Sequence, residues 1–506
     1  SQDGVLLDSY TNDYLQREAE PGISMAMAEQ GEKTKKRVAV ATLGCKVNQY
    51  ESAAFLSELA ESEQVEIVPF SDPAEVYVVN TCAVTAKAGA QSRQLVRRAA
   101  RRRKARVVVT GCYAQIAPQN IFELSGGPLC IVGNSFKGKV SEAVLAPRSC
   151  DLEMYLGDMA ACRDVAPLTV TRYGQRTRAV LKVQDGCSQG CSYCIVPISR
   201  GPSRSVDPER VVEQAEIYAG RGYREVVLTG IHLGHYGQDI SPPLSLAALI
   251  RRLLALKLPL RYRVSSLEPS EISRELLDLM AGEDALLPHL HIPLQSGDDR
   301  ILAAMGRPYG AADFASVIEL CAKVLPAAAI GVDVLVGFPG EDEAAFANTR
   351  QLLSRLPVSY LHVFPYSPRP GTRAATMAGQ VPGAVKSRRA AQLRKLDRQK
   401  REHFYRAHLG TVRPVLVEGG GVPGGDKSGD QESAGSLGGF TDNYIPVRLP
   451  PGTGEVNELI MVRLDELAQE RVLAGPVDSS SIMEGGAGRQ GSDERGVHPV
   501  PEGEAG

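Results

Sequence analysis

The sequence predicts a three-part α/β protein: an N-terminal doubly wound α/β domain, a central partial (β/α)6 barrel and a small C-terminal antiparallel β-barrel. Three observations lead to this architecture. Apolar runs alternate with helical stretches up to residue 147, the same alternation resumes after residue 170, and short alternating strands follow near the C-terminus. A chain of 506 residues is also too long for one ordinary core.

The first domain is expected over residues 36–147. The runs RVAVATLGC, EVYVVNTC and RVVVTGC have the composition of parallel strands that are buried on both faces. Helical stretches separate them, which is typical of a doubly wound sheet. Residues 1–35 are polar and lack periodicity, so we predict a disordered extension there, and we interpret residues 148–170 as a linker.

The central barrel is expected over residues 171–403. Its strands are predicted in RAVLKVQ, EVVLTG, RYRVSSLE, HLHIPLQ, AIGVDVLVGFP and YLHVFPYS. Helical stretches separate them, and Asp207 followed by Pro208 is a good cap and first-turn pair for the first one. Six such units in about 200 residues indicate a partial, open (β/α) barrel.

The last ordered part is expected over residues 408–476. The segments TVRPVLVE, NYIPVRL and ELIMVRL alternate as short antiparallel strands do. Glycine, serine and aspartate are concentrated in an insertion at residues 419–439, and the tail at residues 477–506 is glycine-rich. We predict that both are disordered.

Composition is that of a soluble globular protein, with 43% hydrophobic residues, 23% charged residues and a formal net charge of −2. No apolar run reaches the length of about eighteen residues that a membrane span needs, and no secretory signal is evident. We therefore expect a cytoplasmic protein without membrane contact. Ten cysteines in such a chain favour metal binding or catalysis over a disulfide scaffold.

The segment KVQDGCSQGCSYCIVP contains Cys187, Cys191 and Cys194, here called the barrel triad. Thiolates bind both zinc and iron–sulfur clusters, but structural zinc prefers four ligands in two separated pairs. Three thiols within eight residues, with no flanking fourth Cys or His, favour a [4Fe-4S] cluster with one open iron. The segment follows the first barrel strand, so the cluster is expected at the catalytic mouth of the barrel.

Cys45, Cys82 and Cys112, here called the sheet triad, each end a predicted strand of the N-terminal domain. The carboxyl ends of parallel strands share one edge, so the three thiols are expected to converge and to hold a second cluster. The alternative is that they are core residues, as we expect for Cys130 and Cys321.

The barrel triad, its place after the first barrel strand and the aromatic Tyr193 resemble the radical S-adenosylmethionine enzymes. Residues from about 36 to 475 resemble the methylthiotransferases of that superfamily, on TLGCKVNQYES, NTCAVTAKA, TGCYAQ, DGCSQGCSYCIVPISRGPSRS, RVSSLEP, HLHIPLQSG and GFPGE. The C-terminal barrel resembles the TRAM domain, an RNA-binding module. NTCAVTAKAGAQSRQLVRRAARR and HVFPYSPRPGT are most similar to the bacterial branch that acts on threonylcarbamoyladenosine in tRNA.

The resemblance implies two [4Fe-4S] clusters, one on each triad, and S-adenosylmethionine bound at the barrel triad. Tyr193, Thr229 and Gly230 are candidate contacts of S-adenosylmethionine, although a strand end and a tight turn explain the last two equally well. One S-adenosylmethionine would methylate a sulfur on the sheet-triad cluster, and a radical from a second would remove the hydrogen from carbon-2 of adenine. An electron donor such as flavodoxin or ferredoxin and a sulfur donor are implied partners.

The resemblance further implies that the substrate is N6-threonylcarbamoyladenosine in the tRNA anticodon loop. Arg200 or Arg204 is hypothesised to grip its threonylcarbamoyl arm. Alternatives are a methylthiotransferase for isopentenyladenosine in tRNA or for a ribosomal-protein aspartate. A zinc-bearing RNA-binding scaffold is the alternative from another class.

Several residues outside the triads are candidates for RNA contact. Two basic segments favour phosphate contacts, although a solvated face explains such runs as readily. The first segment consists of Arg97, Arg98, Arg101, Arg102, Arg103, Lys104 and Arg106, and the second spans residues 387–406. Four aromatic residues are candidates for stacking on bases or for core packing: Phe404, Tyr405, Phe440 and Tyr444. Histidines in or beside strands are interpreted as interior or mouth residues, not metal ligands: His232, His235, His289, His291 and His362.

Overall fold

The computed structural model describes residues 35–102, 104–147, 151–174, 176–419 and 437–477. The predicted extension apart from residue 35, Arg103, residues 420–436 of the predicted insertion and the tail from residue 478 lie outside the described residues. Within the described ranges, no helix combines the length and the apolar content that crossing a bilayer requires.

The N-terminal domain is a six-stranded parallel sheet with the order β2-β1-β3-β4-β5-β6. Its strands are Lys36–Thr42 (β1), Val65–Ile67 (β2), Val76–Thr81 (β3), Arg106–Gly111 (β4), Leu129–Val132 (β5) and Leu152–Tyr155 (β6). Its helices are Lys46–Ala60 (α1), Ala86–Ala100 (α2), Cys112–Ile116 (α3), Pro118–Phe122 (α4) and Val140–Leu145 (α5). The predicted doubly wound domain is confirmed. Strand β6 lies within residues 148–170, so part of the segment interpreted as a linker completes this sheet.

The apolar runs of this domain supply cores on both faces of the sheet. Val78 and Val108 belong to one buried cluster, whereas Val79 and Val109 belong to the other. Successive residues of a strand point to opposite faces, so a sheet covered on both faces needs apolar residues without alternation.

The central domain is a partial barrel of two three-stranded parallel sheets, β7-β10-β11 and β12-β13-β14. The Leu267 N–H donates to the His291 carbonyl oxygen at 2.9 Å where the two sheets meet. The strands are Arg178–Lys182 (β7), Gln184–Asp185 (β8), Arg204–Ser205 (β9), Glu225–Thr229 (β10), Arg261–Val264 (β11), His289–His291 (β12), Ala329–Val336 (β13) and Tyr360–Pro365 (β14). The helices are Val196–Arg200 (α6), Pro208–Gly220 (α7), Leu246–Ala255 (α8), Arg274–Gly282 (α9), Asp299–Met305 (α10), Ala311–Val324 (α11), Glu343–Arg355 (α12) and Gly383–Ala407 (α13). The six strands predicted for the barrel are all present.

The C-terminal domain is a closed five-stranded barrel with the order β15-β16-β17-β19-β18. Its strands are Val412–Glu418 (β15), Gly438–Thr441 (β16), Pro446–Arg448 (β17), Leu459–Ala468 (β18) and Arg471–Pro476 (β19). Val415, Val417, Val462 and Leu464 point inward at alternate positions and form its core. The predicted antiparallel barrel is confirmed, with β17 and β19 as one parallel pair.

The C-terminal barrel packs against the amino-terminal ends of the central strands. Arg263 on β11 donates to the carbonyl oxygens of Asp442 at 2.9 Å and Thr441 at 3.3 Å. Arg178 on β7 forms an ion pair with Glu418 on β15 at 2.7 Å. These contacts fix the C-terminal barrel to the base of the central one.

Glu225 forms the buried ionic centre of this base. It accepts from the Arg261 Nε and the Arg263 Nε, both at 2.8 Å. Burial alone would raise the pKa of Glu225, but the charges of Arg263, Arg261 and Arg178 lower it to about 2. Its carboxylate therefore stabilises the fold above the pKa of an unfolded glutamate, and that contribution is lost as the pH falls towards 2.

We expect Glu225→Gln to reduce the free energy of unfolding at pH 7 by about 3–5 kcal/mol, because it leaves two buried guanidinium groups without a counter-charge. The variant should also lose less stability than the wild type between about pH 5 and pH 2. Thermal melting across that pH range measures both effects.

Glu275→Gln is the matched control, since Glu275 forms an exposed ion pair with Arg251 at 2.7 Å. We expect it to change stability by less than about 1 kcal/mol. Equal acid sensitivity in Glu225→Gln and the wild type would contradict the assignment of the acid-labile stability to Glu225.

Candidate functional site

The sheet triad lies at the carboxyl-terminal edge of the N-terminal sheet. Cys45 is the N-cap of α1, Cys82 directly follows β3, and Cys112 begins α3 directly after β4. Strands β1 and β4 both pair with β3, so the three thiols come from neighbouring strands. The parallel order of the sheet thus brings together residues that are far apart in sequence.

Two glycines let the backbone pass close to the sheet triad. Gly44 has a φ of +99°, and a Cβ there would lie 2.8 Å from the Cys82 Sγ. Gly111 has a φ of +94°, and a Cβ there would lie 2.3 Å from the Thr81 carbonyl oxygen. Left-handed backbone combined with such close approach is a position that glycine alone tolerates.

The thiols of the sheet triad influence one another electrostatically. Burial raises the pKa of Cys82 to about 12, and the charges of Cys112 and Cys45 add to that shift. Burial also raises the pKa of Cys45, which the charge of Arg200 opposes. Cys45 has exposed surface while Cys82 and Cys112 are buried, so the triad is open on the Cys45 side.

The barrel triad lies in the loop between β8 and α6. The Cys187 Sγ lies 3.3 Å from the His232 Nδ1, and the Cys191 Sγ accepts a hydrogen bond from the Arg307 Nη1 at 3.2 Å. Burial raises the pKa of Cys194 to about 12, with further contributions from Cys191 and Cys187. The three thiols therefore face one another at the mouth of the barrel.

The spacing of the thiols tests which metal group they fit. A single zinc ion, with Zn–S bonds of about 2.3 Å, brings its sulfur ligands within about 4 Å of one another. Among the described residues, neither triad has its three sulfur atoms within 4.8 Å of one another. Thiols that share a space at wider separation fit a larger group such as a [4Fe-4S] cluster. The geometry therefore disfavours the zinc-bearing scaffold.

The candidate contacts of S-adenosylmethionine lie beside the barrel triad. The Tyr193 ring packs edge-on against Phe338, with centroids 6.4 Å apart. Thr229 is the buried last residue of β10. A Cβ at Gly230 would lie 2.8 Å from the Gln184 Oε1, so this glycine permits a close approach between two loops. The roles of Tyr193, Thr229 and Gly230 in binding stay predictions.

Gln184 joins these two loops, and sequence analysis does not identify it. Its Oε1 accepts from the backbone N–H groups of Ile231 at 2.9 Å and His232 at 2.8 Å. Its Nε2 donates to the Gly186 carbonyl oxygen at 2.7 Å and the Ser203 Oγ at 2.8 Å. A buried amide with all these partners fixes the cysteine loop against the loop after β10. A polar residue at the end of an apolar strand is the signal that could have found it.

Sequence analysis interpreted His232 as an interior or mouth residue. It did not predict the contact that His232 makes with the barrel triad. Its Nε2 lies 2.6 Å from the Glu271 Oε1, and its ring stacks on His235 with centroids 3.6 Å apart. Burial alone would lower the pKa of His232, but hydrogen bonds with Cys187 and Glu271 raise it to about 10. His232 therefore bridges a thiol of the barrel triad and the Glu271 carboxylate.

A buried ion-pair network lies between the two triads. Its members come from both domains: Glu51, Lys137, Lys182, Asp185 and Arg200. The Arg200 Nη1 lies 3.0 Å from the Glu51 Oε1 and 2.8 Å from the Asp185 Oδ1. Burial alone would raise the pKa of Glu51, but the charges of Arg200, Lys137 and Lys182 lower it to about 2.

This network overturns the hypothesis that Arg200 or Arg204 grips the substrate. The Arg200 guanidinium is fully buried and also donates to the Asn48 Oδ1 at 2.6 Å. Arg204 is buried as well and donates to the Arg200 carbonyl oxygen at 2.9 Å. Both side chains are buried and bind protein acceptors, so neither is placed to grip a substrate.

Only part of each basic segment is available for RNA. Arg102 donates to the Ser71 carbonyl oxygen at 2.6 Å, Arg106 forms an ion pair with Glu153 at 2.7 Å, and Arg389 is buried against Glu341. Among the described residues of the two segments, the exposed cations are Arg97, Arg98, Arg101, Lys104, Arg388, Lys395, Arg398 and Arg406. Of the described cations, these are the ones best placed for contact with solvent or with phosphates.

The candidate stacking aromatics contact protein. Phe404 packs on His408 with centroids 4.4 Å apart, Tyr405 is buried, and Phe440 stacks on Tyr444 at 4.8 Å. The strand histidines are interior as expected: His289 and His291 are buried on β12, and His362 is half-buried on β14.

Comparisons with known proteins show which families and proteins the chain is similar to. The model described as "Radical SAM superfamily" matches residues 181–353, and "Uncharacterized protein family UPF0004" matches residues 37–133. A relative from Aquifex aeolicus (strain VF5), named threonylcarbamoyladenosine tRNA methylthiotransferase MtaB, is 37% identical over 84% of this chain and 99% of its own. A relative of the same name from Bacillus subtilis (strain 168) is 37% identical over 84% of this chain and 93% of its own. Among solved structures, the radical S-adenosylmethionine methyltransferase TsrM from Kitasatospora setae is 16% identical, with a TM-score of 0.49, over 68% of this chain and 77% of that one.

Replacing Glu51 with Gln should loosen the contact between the two domains. The variant leaves Arg200, Lys137 and Lys182 buried with one carboxylate fewer, and removing one partner of a buried pair costs about 3–5 kcal/mol. Hydrogen exchange should become faster in α1 and α6, which carry the network.

Glu58→Gln on the same helix is the control, because Glu58 is exposed. Its exchange should match that of the wild type. Unchanged protection in Glu51→Gln would show that the network does not hold the domains together.

Proposed function

Because the chain belongs to the tRNA methylthiotransferases of the radical S-adenosylmethionine superfamily, we propose that it inserts a methylthio group at carbon-2 of N6-threonylcarbamoyladenosine next to the tRNA anticodon. The observation that carries this proposal is the pair of thiol triads held on either side of one buried ion network. The names of the relatives support the choice of base.

The superfamily implies a [4Fe-4S] cluster and S-adenosylmethionine. We place that cluster on the barrel triad, with Tyr193, Thr229 and Gly230 beside S-adenosylmethionine, and a second [4Fe-4S] cluster on the sheet triad. When bound, these groups supply the one-electron and sulfur-transfer chemistry that an unreactive carbon–hydrogen bond requires.

The side chains around the triads hold and orient these groups. Arg307 donates to the Cys191 Sγ, and its positive charge stabilises thiolates in a partly buried site. Gln184 fixes the loop that carries Gly230 against the loop that carries Cys187. A radical removes whichever hydrogen lies nearest, so fixed placement of the substrate is the main task of the protein.

A tRNA substrate is implied by the family, and we propose that the anticodon loop docks at the barrel mouth and that the C-terminal barrel, which is TRAM-like, also binds the tRNA. An unpaired anticodon base can leave its stack and enter a deep site. The exposed cations near the end of α2 and on α13 would contact phosphates. We also propose that a flavodoxin or ferredoxin is the electron donor, that a separate protein donates the sulfur and that the enzyme is cytoplasmic.

Replacing each triad by alanines should block a different step of the reaction. Without Cys187, Cys191 and Cys194, we expect about half of the roughly eight irons per reconstituted chain and no 5′-deoxyadenosine. Without the sheet triad, S-adenosylmethionine cleavage should survive while methylthiolation stops. Iron analysis and chromatography of the products measure each effect.

Cys130→Ala with Cys321→Ala is the control, because both cysteines are buried in the apolar core away from the triads. Its iron content should equal that of the wild type. If sulfur insertion survives loss of the sheet triad, Cys45, Cys82 and Cys112 would have to be interpreted as core residues.

The choice of base is tested with anticodon hairpins that carry a threonylcarbamoyl arm, an isopentenyl arm or no arm. We expect turnover of the first and rejection of the others, because a site with hydrogen-bonding groups penalises a ligand that leaves them unpaired. Mass spectrometry of the product nucleosides gives the rates. If the isopentenyl hairpin is turned over as fast as the threonylcarbamoyl hairpin, the assignment of threonylcarbamoyladenosine as the substrate is wrong. The general methylthiotransferase assignment would still hold.

A further inference from the structure

Three neighbouring strands of the central barrel, β12, β13 and β14, carry polar residues on one face. On β13, Val332 and Val334 belong to the same buried apolar cluster as Phe314 of α11 and Leu353 of α12. Asp333 lies between these valines, so its side chain points to the opposite face of the sheet, away from the helices. The polar face is therefore the inner face of the barrel.

Two histidines and one aspartate converge on this face, here called the His–Asp cluster. They are His291 on β12, Asp333 on β13 and His362 on β14, and the register of β13 and β14 pairs Asp333 with His362. The Asp333 Oδ1 lies 2.8 Å from the His291 Nε2 and 3.3 Å from the His362 Nδ1. Two imidazoles from different strands thus approach the same carboxylate oxygen, and one potential ligand atom from each residue lies within 4.8 Å of the other two.

The spacing of these atoms fits a single divalent ion. With metal–ligand bonds of about 2.0–2.2 Å, the nitrogen and oxygen ligands of one ion stand about 3–3.5 Å apart. At the observed distances each imidazole N–H can donate to Asp333, and a divalent cation would take the place of the two protons and release them to solvent. Two imidazoles with one carboxylate are a donor set typical of zinc, iron(II) and other divalent transition metals.

Tyr360 holds the His291 ring at its other nitrogen. The Tyr360 hydroxyl lies 3.3 Å from the His291 Nδ1 and 2.7 Å from the His289 Nε2. Histidines that bind metals almost always have such a partner at the second ring nitrogen, because it fixes the tautomer and the orientation of the ring. Tyr360 is itself buried, so the packing of the sheet sets this orientation.

The ionisation states of the His–Asp cluster also suit a cation. Burial alone would raise the pKa of Asp333, but the charge of His291 and hydrogen bonds with His291 and His362 lower it. Burial lowers the pKa of His362, against the effect of its hydrogen bond with Asp333. At neutral pH the aspartate is therefore ionised and His362 is neutral, which are the states that bind metal ions.

The His–Asp cluster is open on one side. Asp333 and His362 keep 25% and 35% of their side-chain surface exposed, whereas His291 keeps 9%. An ion can therefore reach the three ligands and would have positions left for water or another oxygen ligand. One carboxylate neutralises only half the charge of a divalent ion, so an anionic oxygen group would be the favoured ligand at these positions.

We propose that His291, Asp333 and His362 form a binding site for a divalent transition-metal ion inside the barrel, with Tyr360 as a positioning residue. The site is separate from both cysteine triads, because β12, β13 and β14 carry none of their cysteines. Sequence analysis interpreted the two histidines as interior or mouth residues and not as metal ligands. The pairing of β13 with β12 and with β14 is what brings them to Asp333. This inference does not depend on the proposed function.

The test is zinc binding by the full chain after anaerobic reconstitution with iron and sulfide. Dialysis against micromolar free zinc, elemental analysis and X-ray absorption at the zinc edge give the number of ions and the identity of their ligands. We expect about one zinc per chain with nitrogen and oxygen ligands at about 2.0–2.2 Å, whereas zinc on a cysteine triad would show sulfur at about 2.3 Å.

Substitutions in the His–Asp cluster should weaken this binding to different extents. Asp333→Asn and His362→Gln should each reduce the affinity for zinc by more than about 100-fold, because changes outside the ligand shell already cost about 10- to 100-fold. Tyr360→Phe should reduce it by about 10-fold and leave the distances from the zinc to its ligands unchanged.

His403→Gln is the matched control, because His403 is exposed on α13. Circular dichroism checks that each variant is folded, and His362→Gln, a change at a half-buried residue, decides the outcome if Asp333→Asn does not fold. Zinc with nitrogen and oxygen ligands that persists in either folded variant would overturn the inference and place the ion elsewhere, for example on His232, His235 and Glu271. Zinc bound through sulfur alone, or no bound zinc, would overturn it as well.

Discussion

The buried ion pairs of Arg200 determine how the two cysteine triads stand relative to each other. Arg200 ends α6, the helix that follows Cys194, and it binds Asp185, which precedes Cys187 by two residues. Its other carboxylate partner, Glu51, belongs to α1, the helix that Cys45 begins. Removing one member of a buried pair leaves an uncompensated charge, so few relative orientations of the two domains are favourable. For chemistry that depends on two separate sulfur sites, a fixed relative orientation of the two domains matters more than the stability that the ion pairs add.

A second constraint ties the C-terminal barrel to the catalytic one. Arg263 donates to two carbonyl oxygens of the turn that ends in Tyr444, and the same arginine lies over the Tyr444 ring at 5.1 Å from its centroid. The long helix α13 packs along β14 before it enters the C-terminal barrel. The C-terminal barrel therefore contributes Tyr444 to the packing of β12, where the ring stacks on His289 with centroids 4.4 Å apart.

Local patterns were sufficient to predict the six strands of the central barrel and the three strands that end at the sheet triad, but not β2, β5 or β6 of the N-terminal sheet. The apolar runs that end in Cys82 and Cys112 predict buried parallel strands. The carboxyl ends of parallel strands lie at one edge of the sheet, which is why the thiols meet. Long-range electrostatics could not be predicted in this way. Arg200 and Glu51 are 149 residues apart, and nothing near Arg200 in sequence distinguishes a structural arginine from one that binds substrate. The contact between His232 and Cys187 spans 45 residues and depends on the loop geometry that Gln184 fixes.

The first turns of α1 explain why the segment CKVNQYE is constrained at several positions at once. Cys45, the N-cap of α1, is a member of the sheet triad. Asn48 and Glu51 are three residues apart, so they share a face, and both bind Arg200. One short helical segment thus carries a thiol of the sheet triad and the contact that joins two domains. A change in the direction of this helix would alter both together, so its fixed position couples the sheet triad to the contact between the domains.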